Sequence, residues 1–188
     1  EVSFTNDRDN FYEALHGVKA WGLTSLYDPI ARRAEQLGGP TSQRRAVVVI
    51  TDGVDTSSAL TPAEVSGLAS SIDVPVYIVA VVSPLDHPGA QTAVVSDNAD
   101  GGLVNVAQWT GGELLYVSGS EQIPVTSKEL LGMLRQQYLL AIESSSSPGW
   151  YQLEVRTKRP GLTVRARSGY FAGERPRASR VVADRPRN

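Results

Sequence analysis

The side chains best suited to chemistry lie close together in Thr51-Asp52-Gly53-Val54-Asp55-Thr56-Ser57-Ser58. Asp52 and Asp55 are carboxylates, and Thr56, Ser57 and Ser58 add hydroxyls. Hard oxygen donors of this kind suit Mg²⁺ or Ca²⁺, with water filling the remaining positions. A plainer reading makes Asp52-Gly53 a turn and Asp55 a helix-side cap. On spacing alone the plainer reading is the better supported. Other chemistry finds fewer candidates. His16 falls in a helical stretch and His87 in a Pro- and Gly-punctuated loop beside Asp86. No Ser sits in a Gly-flanked strand–turn–helix elbow. Neither a Gly-x-x-x-x-Gly-Lys phosphate loop nor a Gly-x-Gly-x-x-Gly occurs. Acids and bases with a partner are too few to argue catalysis, so the chain reads as no enzyme.

The elements that must hold these groups follow from hydrophobic pattern. Ala46 to Ile50 is apolar without a break, which predicts a strand buried on both faces of a parallel sheet. Asp52 and Asp55 would then lie just past its C-terminal end, where open α/β sheets bind ligands. Thr61-Pro62-Ala63-Glu64 is a capping box with Pro at the first helical position, predicting a helix to about Ile72. Val74 to Val82 is a second apolar strand, so strand, helix and strand form a right-handed βαβ unit. Upstream, helices are predicted over 10–20, with a Phe11, Leu15, Val18 stripe, and over 26–37, with Pro29 in the first turn. Downstream, the pattern predicts a loop over 83–101, a helix over 103–110 closed by Gly111-Gly112, and a strand over 113–117. A helix from Ser127 to about Gln137 follows, with Leu130, Leu131 and Leu134 inward. Beyond it, apolar Tyr138–Ile142 and the alternating runs 151–156 and 162–167 predict half-exposed antiparallel strands.

Composition bounds the rest. The chain has 188 residues, 41% hydrophobic and 20% charged, with a net charge of −2. Residues 156–188 carry ten Lys and Arg against Glu174 and Asp184, while 1–155 carries eight basic and eighteen acidic residues. A basic end without a base-stacking motif predicts a solvated tail, disordered over 173–188, and no nucleic-acid partner. Absence of Cys excludes disulfides and thiol chemistry. No stretch reaches the ~18 apolar residues of a membrane span, so no membrane insertion is expected in this segment. The opening Val2-Ser3-Phe4 reads like the end of a strand, as expected of a piece of a longer protein.

Gly22-Leu23-Thr24-Ser25-Leu26-Tyr27-Asp28, Arg45 through Asp52 to Asp55, and Val74-Pro75-Val76-Tyr77-Ile78-Val79 together resemble the von Willebrand factor A (VWA) domain. Ala107 through Gly111-Gly112 to Val117 fits its next helix and strand. Gln137-Tyr138-Leu139-Leu140 with Arg159 to Phe171 is similar to the tail of a bacterial VWFA-related subgroup. The resemblance covers about residues 2–172. It implies an α/β, Rossmann-like, doubly wound and mostly parallel sheet, incomplete because the first strands are absent, with a C-terminal antiparallel β extension. The parts would be a partial VWA domain over 1–137, the extension over 138–172 and the tail over 173–188.

The resemblance also implies a metal-ion-dependent adhesion site. Thr24 and Asp52 match its second and third metal-ligand positions, and Ser25 and Asp55 are expected beside the bound ligand. Its first position, Asp-x-Ser-x-Ser, does not occur; Asp55-Thr56-Ser57-Ser58-Ala59 comes nearest and fails at the last residue. That motif, with the family's first strand, first helix and second strand, is expected before Glu1. The implied function is protein binding (adhesion or interaction), with Mg²⁺ or another divalent cation in the full-length parent and none expected to be bound by this chain alone. The implied partner is a protein ligand with an acidic group, and the implied location is exported bacterial. Alternatives are a structural or assembly segment with a vestigial metal site, or a truncated α/β hydrolase or phosphoryl-transfer domain. Lacking its neighbour, the Ala46–Thr51 strand is expected to form a sheet edge, a hazard for strand addition.

Overall fold

A computed structural model describes residues 5–19, 22–38, 44–52, 55–71, 73–81, 102–143 and 147–172. His87 with its predicted loop, Val2–Phe4 and the predicted tail 173–188 lie outside the described residues. The chain is mixed α/β. Its order is α1 (Arg8–His16), α2 (Tyr27–Leu37), β1 (Val47–Thr51), α3 (Pro62–Ser71), β2 (Val76–Val81), α4 (Gly102–Thr110), β3 (Leu114–Val117), α5 (Ile123–Arg135), β4 (Gly149–Gln152) and β5 (Gly169–Ala172). A 3₁₀ turn, Ser120–Gln122, leads into α5.

Strands β1, β2 and β3 form one parallel sheet in that order, and β4 and β5 a separate antiparallel pair. Val47 stands beside Val76 and Thr51 beside Ala80; Ile78 in turn stands beside Leu114. The core forms where α2, α3 and α4 cover one face of the parallel sheet. Val47, Val76 and Ile78 pack there with Tyr27, Ile30, Ala31, Ala34, Val65, Ala69, Val106 and Ala107. The capping box forms as its spacing dictates. The Thr61 amide donates to the Glu64 carboxylate at 2.8 Å, and the Glu64 amide donates to the Thr61 hydroxyl at 3.3 Å.

The opposite face carries Val48, Ile50, Tyr77, Val79, Val81, Leu115 and Val117, since side chains in register across parallel strands point the same way. Helix α5 lies on this side: Gln137, just past its end, donates from Nε2 to the Tyr77 hydroxyl at 3.2 Å. Its cover reaches Tyr77 and β3 but not β1. Val48 is therefore 42% and Ile50 74% exposed. This corrects the expectation of a strand buried on both faces. An unbroken apolar run reports what a strand's faces suit, and here no described element lies over one of them at Ile50. Among the described residues, β1 is also an outer strand of its sheet, as expected.

Three further expectations are corrected. Helix α1 forms, capped by Asp7 accepting from the amides of Asp9 and Asn10, but none of its residues is buried. Its Phe11, Leu15 and Val18 stripe faces solvent because no described element packs on it. Helix α5 begins at Ile123 instead of Ser127, with Pro124 in its first turn, and Leu131 is half-exposed while Leu130 and Leu134 are partly covered. The antiparallel strands are shorter and displaced. Tyr138–Ile142 pairs with no described strand, and the second strand is Gly169–Ala172 and not 162–167. Val155, Leu162 and Val164 alternate as a strand should, yet all remain exposed. Alternation forms a ladder only where a second layer buries its apolar face.

The β4–β5 pair is tied to the N-terminal end of the parallel sheet. The Ser168 amide donates to the Trp109 carbonyl at 3.2 Å, and the Leu153 amide to the Ser168 carbonyl at 2.8 Å. Arg165 pairs with Glu113 at 2.7 Å and Arg167 with Asp73 at 3.5 Å. The basic residues of this region thus include structural clamps.

Candidate functional site

The site is built from two loops at the C-terminal end of β1, residues 22–28 before and into α2 and residues 52 and 55–60 after β1. Helix α2 begins without a cap of its own, since Leu26 at the N-cap offers no acceptor. The cap comes from across the fold. Asp55 Oδ2 accepts from the amides of Leu26 at 2.6 Å and Tyr27 at 3.2 Å. Ser58 Oγ accepts from the amides of Tyr27 at 3.0 Å and Asp28 at 3.3 Å, and donates to Asp55 Oδ2 at 2.5 Å. Ser25 Oγ lies 2.9 Å from Ser58 Oγ, and the Ser58 proton is already given to Asp55, so Ser25 is the donor.

The interlock is reciprocal. Asp28, in the first turn of α2, accepts from the amides of Ala59 at 3.1 Å and Leu60 at 2.9 Å, just ahead of α3. Thr24 and Thr56 close the outer side: the Thr56 amide donates to the Thr24 carbonyl at 2.8 Å and the Thr24 amide to Thr56 Oγ1 at 3.0 Å. Short polar side chains favour such bonds to nearby backbone over regular structure.

These bonds sort the four candidate residues. Burial pushes the Asp55 carboxyl up, but hydrogen bonds from the Ser58 hydroxyl and from the amides of Leu26, Ser58 and Tyr27 outweigh it and hold the group below the usual range. Asp55 is therefore an ionised cap, stabilised also by the positive end of the α2 dipole. Ser25 belongs to the same cap through Ser58. Asp52 is different. It is exposed, and its carboxylate makes no hydrogen bond among the described residues. The Thr24 side chain is half-buried, and its hydroxyl likewise makes none. Structure and spacing together thus bring the Thr24 loop against the loop that follows Asp52, and divide the residues into caps (Asp55, Ser58, Asp28, Ser25) and uncommitted groups (Asp52, Thr24).

Of the four candidates, the uncommitted donors are one carboxylate and one hydroxyl. One carboxylate and one hydroxyl cannot displace enough of the hydration shell that Mg²⁺ holds tightly. Among the described residues, no group of three or more His, Asp or Glu is arranged to hold an ion. His16 is exposed at the end of α1. The trans-helix caps at Asp28 and Ser58 are residues that sequence reasoning missed as partners. Their only signal was a carboxylate in the first turn of α2 and a hydroxyl-rich loop some thirty residues away. No helix among the described residues is long and apolar enough to cross a membrane. No protein-family model, curated protein or solved structure matches this chain.

Proposed function

We propose that this chain is a protein-binding module of VWA type, on a Rossmann-like, doubly wound scaffold, whose recognition surface is the loop pair carrying Thr24 and Asp52. The observation that supports this is the contrast within the loops. Asp55, Ser58 and Asp28 use their oxygens to fix the backbone, and Asp52, three positions before Asp55, is left exposed and unengaged. A free carboxylate beside backbone already held by its own caps suits recognition, because those caps need not be ordered on binding. In a full-length parent, a divalent ion shared between Asp52, Thr24 and an Asp-x-Ser-x-Ser segment would recruit an acidic group on a protein ligand. The exported bacterial location is part of the same proposal, as is the absence of catalysis.

Chemical-shift mapping with Mg²⁺ and an Asp-containing peptide tests this. On this chain alone, Mg²⁺ is expected to bind with at best millimolar affinity. Grafting an Asp-x-Ser-x-Ser strand ahead of Glu1 should give shifts at Thr24, Ser25 and Asp52 that Asp52→Asn removes. Micromolar Mg²⁺ binding by the ungrafted chain, or peptide shifts confined to β4–β5, would overturn the reading. The exposed apolar outer strand β1 favours a second reading, a structural or assembly segment in which Asp52 has no partner.

A further inference from the structure

The two loops of the recognition surface are joined by one side chain that caps no helix. Gly22, at φ +89°, turns the chain into the Thr24 loop. From there the bonds of Asp55 and Ser58 go to the amides of Leu26, Tyr27 and Asp28, at the start of α2. Thr24 is held separately, by Thr56. Thr56 Oγ1 accepts from the Thr24 amide at 3.0 Å and donates to the Thr24 carbonyl at 3.2 Å. The Thr56 amide donates to the same carbonyl at 2.8 Å.

A hydroxyl has one proton to give, and a carbonyl oxygen has two lone pairs to fill. The Thr56 proton, the Thr24 amide and both lone pairs of the Thr24 carbonyl are therefore all in use. Both backbone groups of Thr24 are thus bound to one residue, 32 positions away. Threonine hydroxyls that bond backbone by local preference reach only a few positions along the chain. Thr56 is also exposed, so burial of its methyl is not what holds it there.

We propose that Thr56 is a positioning residue of the recognition surface: by fixing both backbone groups of Thr24 it sets the direction in which the Thr24 hydroxyl is presented. The proposal rests on the VWA-type reading for what that hydroxyl meets, and on geometry alone for how it is held. Thr24 is β-branched, so fixed backbone angles leave its χ1 few wells to occupy. Thr56 stands four positions past Asp52. The clamp therefore also ties the segment that bears the hydroxyl to the segment that bears the free carboxylate. A ligand group or hydrated cation bridging the two would meet donors whose backbone is already ordered.

Nuclear magnetic resonance on the whole chain, without metal or peptide, tests this. In the parent chain, three-bond couplings to the Thr24 methyl carbon should report one rotamer. The Thr24 amide should exchange at least about threefold more slowly than an unprotected amide. Thr56→Val keeps the branched shape and loses the hydroxyl, leaving the residue 56 amide as the remaining tie. It should average the Thr24 couplings between rotamers and bring the Thr24 amide to the unprotected rate. The amides of Leu26 and Tyr27, held by Asp55 and Ser58, should keep their parent rates and so report intact caps. Thr56→Ser returns the hydroxyl without the methyl and should restore both Thr24 signals. A single Thr24 rotamer that persists in Thr56→Val would overturn the proposal, as would averaged couplings in the parent chain. So would a Thr56→Ser variant that behaves like Thr56→Val, or loss of Leu26 and Tyr27 protection along with that of Thr24, which would make Thr56 a general prop of the loop. No metal or ligand enters the measurement, so failure here is distinct from failure of the recognition reading, which the Mg²⁺ and peptide mapping decides.

Discussion

The two ends of the parallel sheet are held by different physics. At the end where β2 and β3 begin, backbone packs directly on backbone and one buried hydroxyl seals the joint. Gly111 takes φ +85°, and Gly112 lies so close to Val76 that a Cβ would overlap the Val76 carbonyl. Thr110, fully inside, accepts from the Val76 amide at 3.0 Å and donates to the Val106 carbonyl at 2.7 Å. At the other end, where β1 finishes, the chain is held by side chains reaching for backbone amides: Asp55, Ser58 and Asp28. The first arrangement leaves no room for a Cβ at Gly112. The second is assembled from small polar residues at the surface, and it leaves Asp52 over. Steric closure suits a foundation. Polar capping leaves the surface residues around Asp52 open to exchange.

Substitutions can break this contrast in order of expected effect. Gly112→Ala should be worst, because the Val76 carbonyl is backbone and cannot rotate away. A loss of about 4 kcal/mol, or no cooperative urea transition at all, is expected for strain of this class. Thr110→Val keeps the volume but leaves the buried Val76 amide without an acceptor, and should cost about 2 kcal/mol by the same measurement. Asp55→Ala strips the cap from α2 and should cost about 1.5 kcal/mol. Asp52→Asn, only three positions away, should stay within about 0.5 kcal/mol, as surface changes without a structural partner do. A ranking in which Asp52→Asn cost as much as Asp55→Ala would erase the distinction between cap and free carboxylate.

Acid should separate the ends too. The Asp55 carboxyl is lowered in the folded state, so its contribution is present in full above its unfolded value near 3.9 and is lost as pH falls through the folded value. Thermal melts from pH 6 down to pH 2 should show this loss in the parent chain, and a shallower one in Asp55→Ala. Equal slopes in the two would remove Asp55 from the acid response.

Much of the parallel sheet was legible because its signals are local. The Thr61–Glu64 box, the apolar run Val76–Val81 and the Gly111-Gly112 stop each fix their own element within a few residues. Asp55 was legible as a cap, but not as the cap of a helix that begins twenty-nine positions earlier; spacing reports neighbours along the chain and not across it. The fate of α1, of Val48 and Ile50, and of Tyr138–Ile142 was illegible for the opposite reason. Their patterns announce a face or a strand, and whether a partner layer exists is a property of the whole fold.

The paired caps have one more consequence, in chain entropy. Asp55 to Leu26 and Asp28 to Leu60 close loops of 29 and 32 residues, and β1 lies wholly inside both. The cost of closing a loop grows only slowly with its length and is met once, so each additional bond in the interlock forms across ends already held together. The bonds should consequently come apart as a set. The interlock acts as a reversible staple around β1. Acid should therefore loosen this staple at Asp55, while the ladder from Val47–Thr51 to β2 still holds the first strand in the sheet.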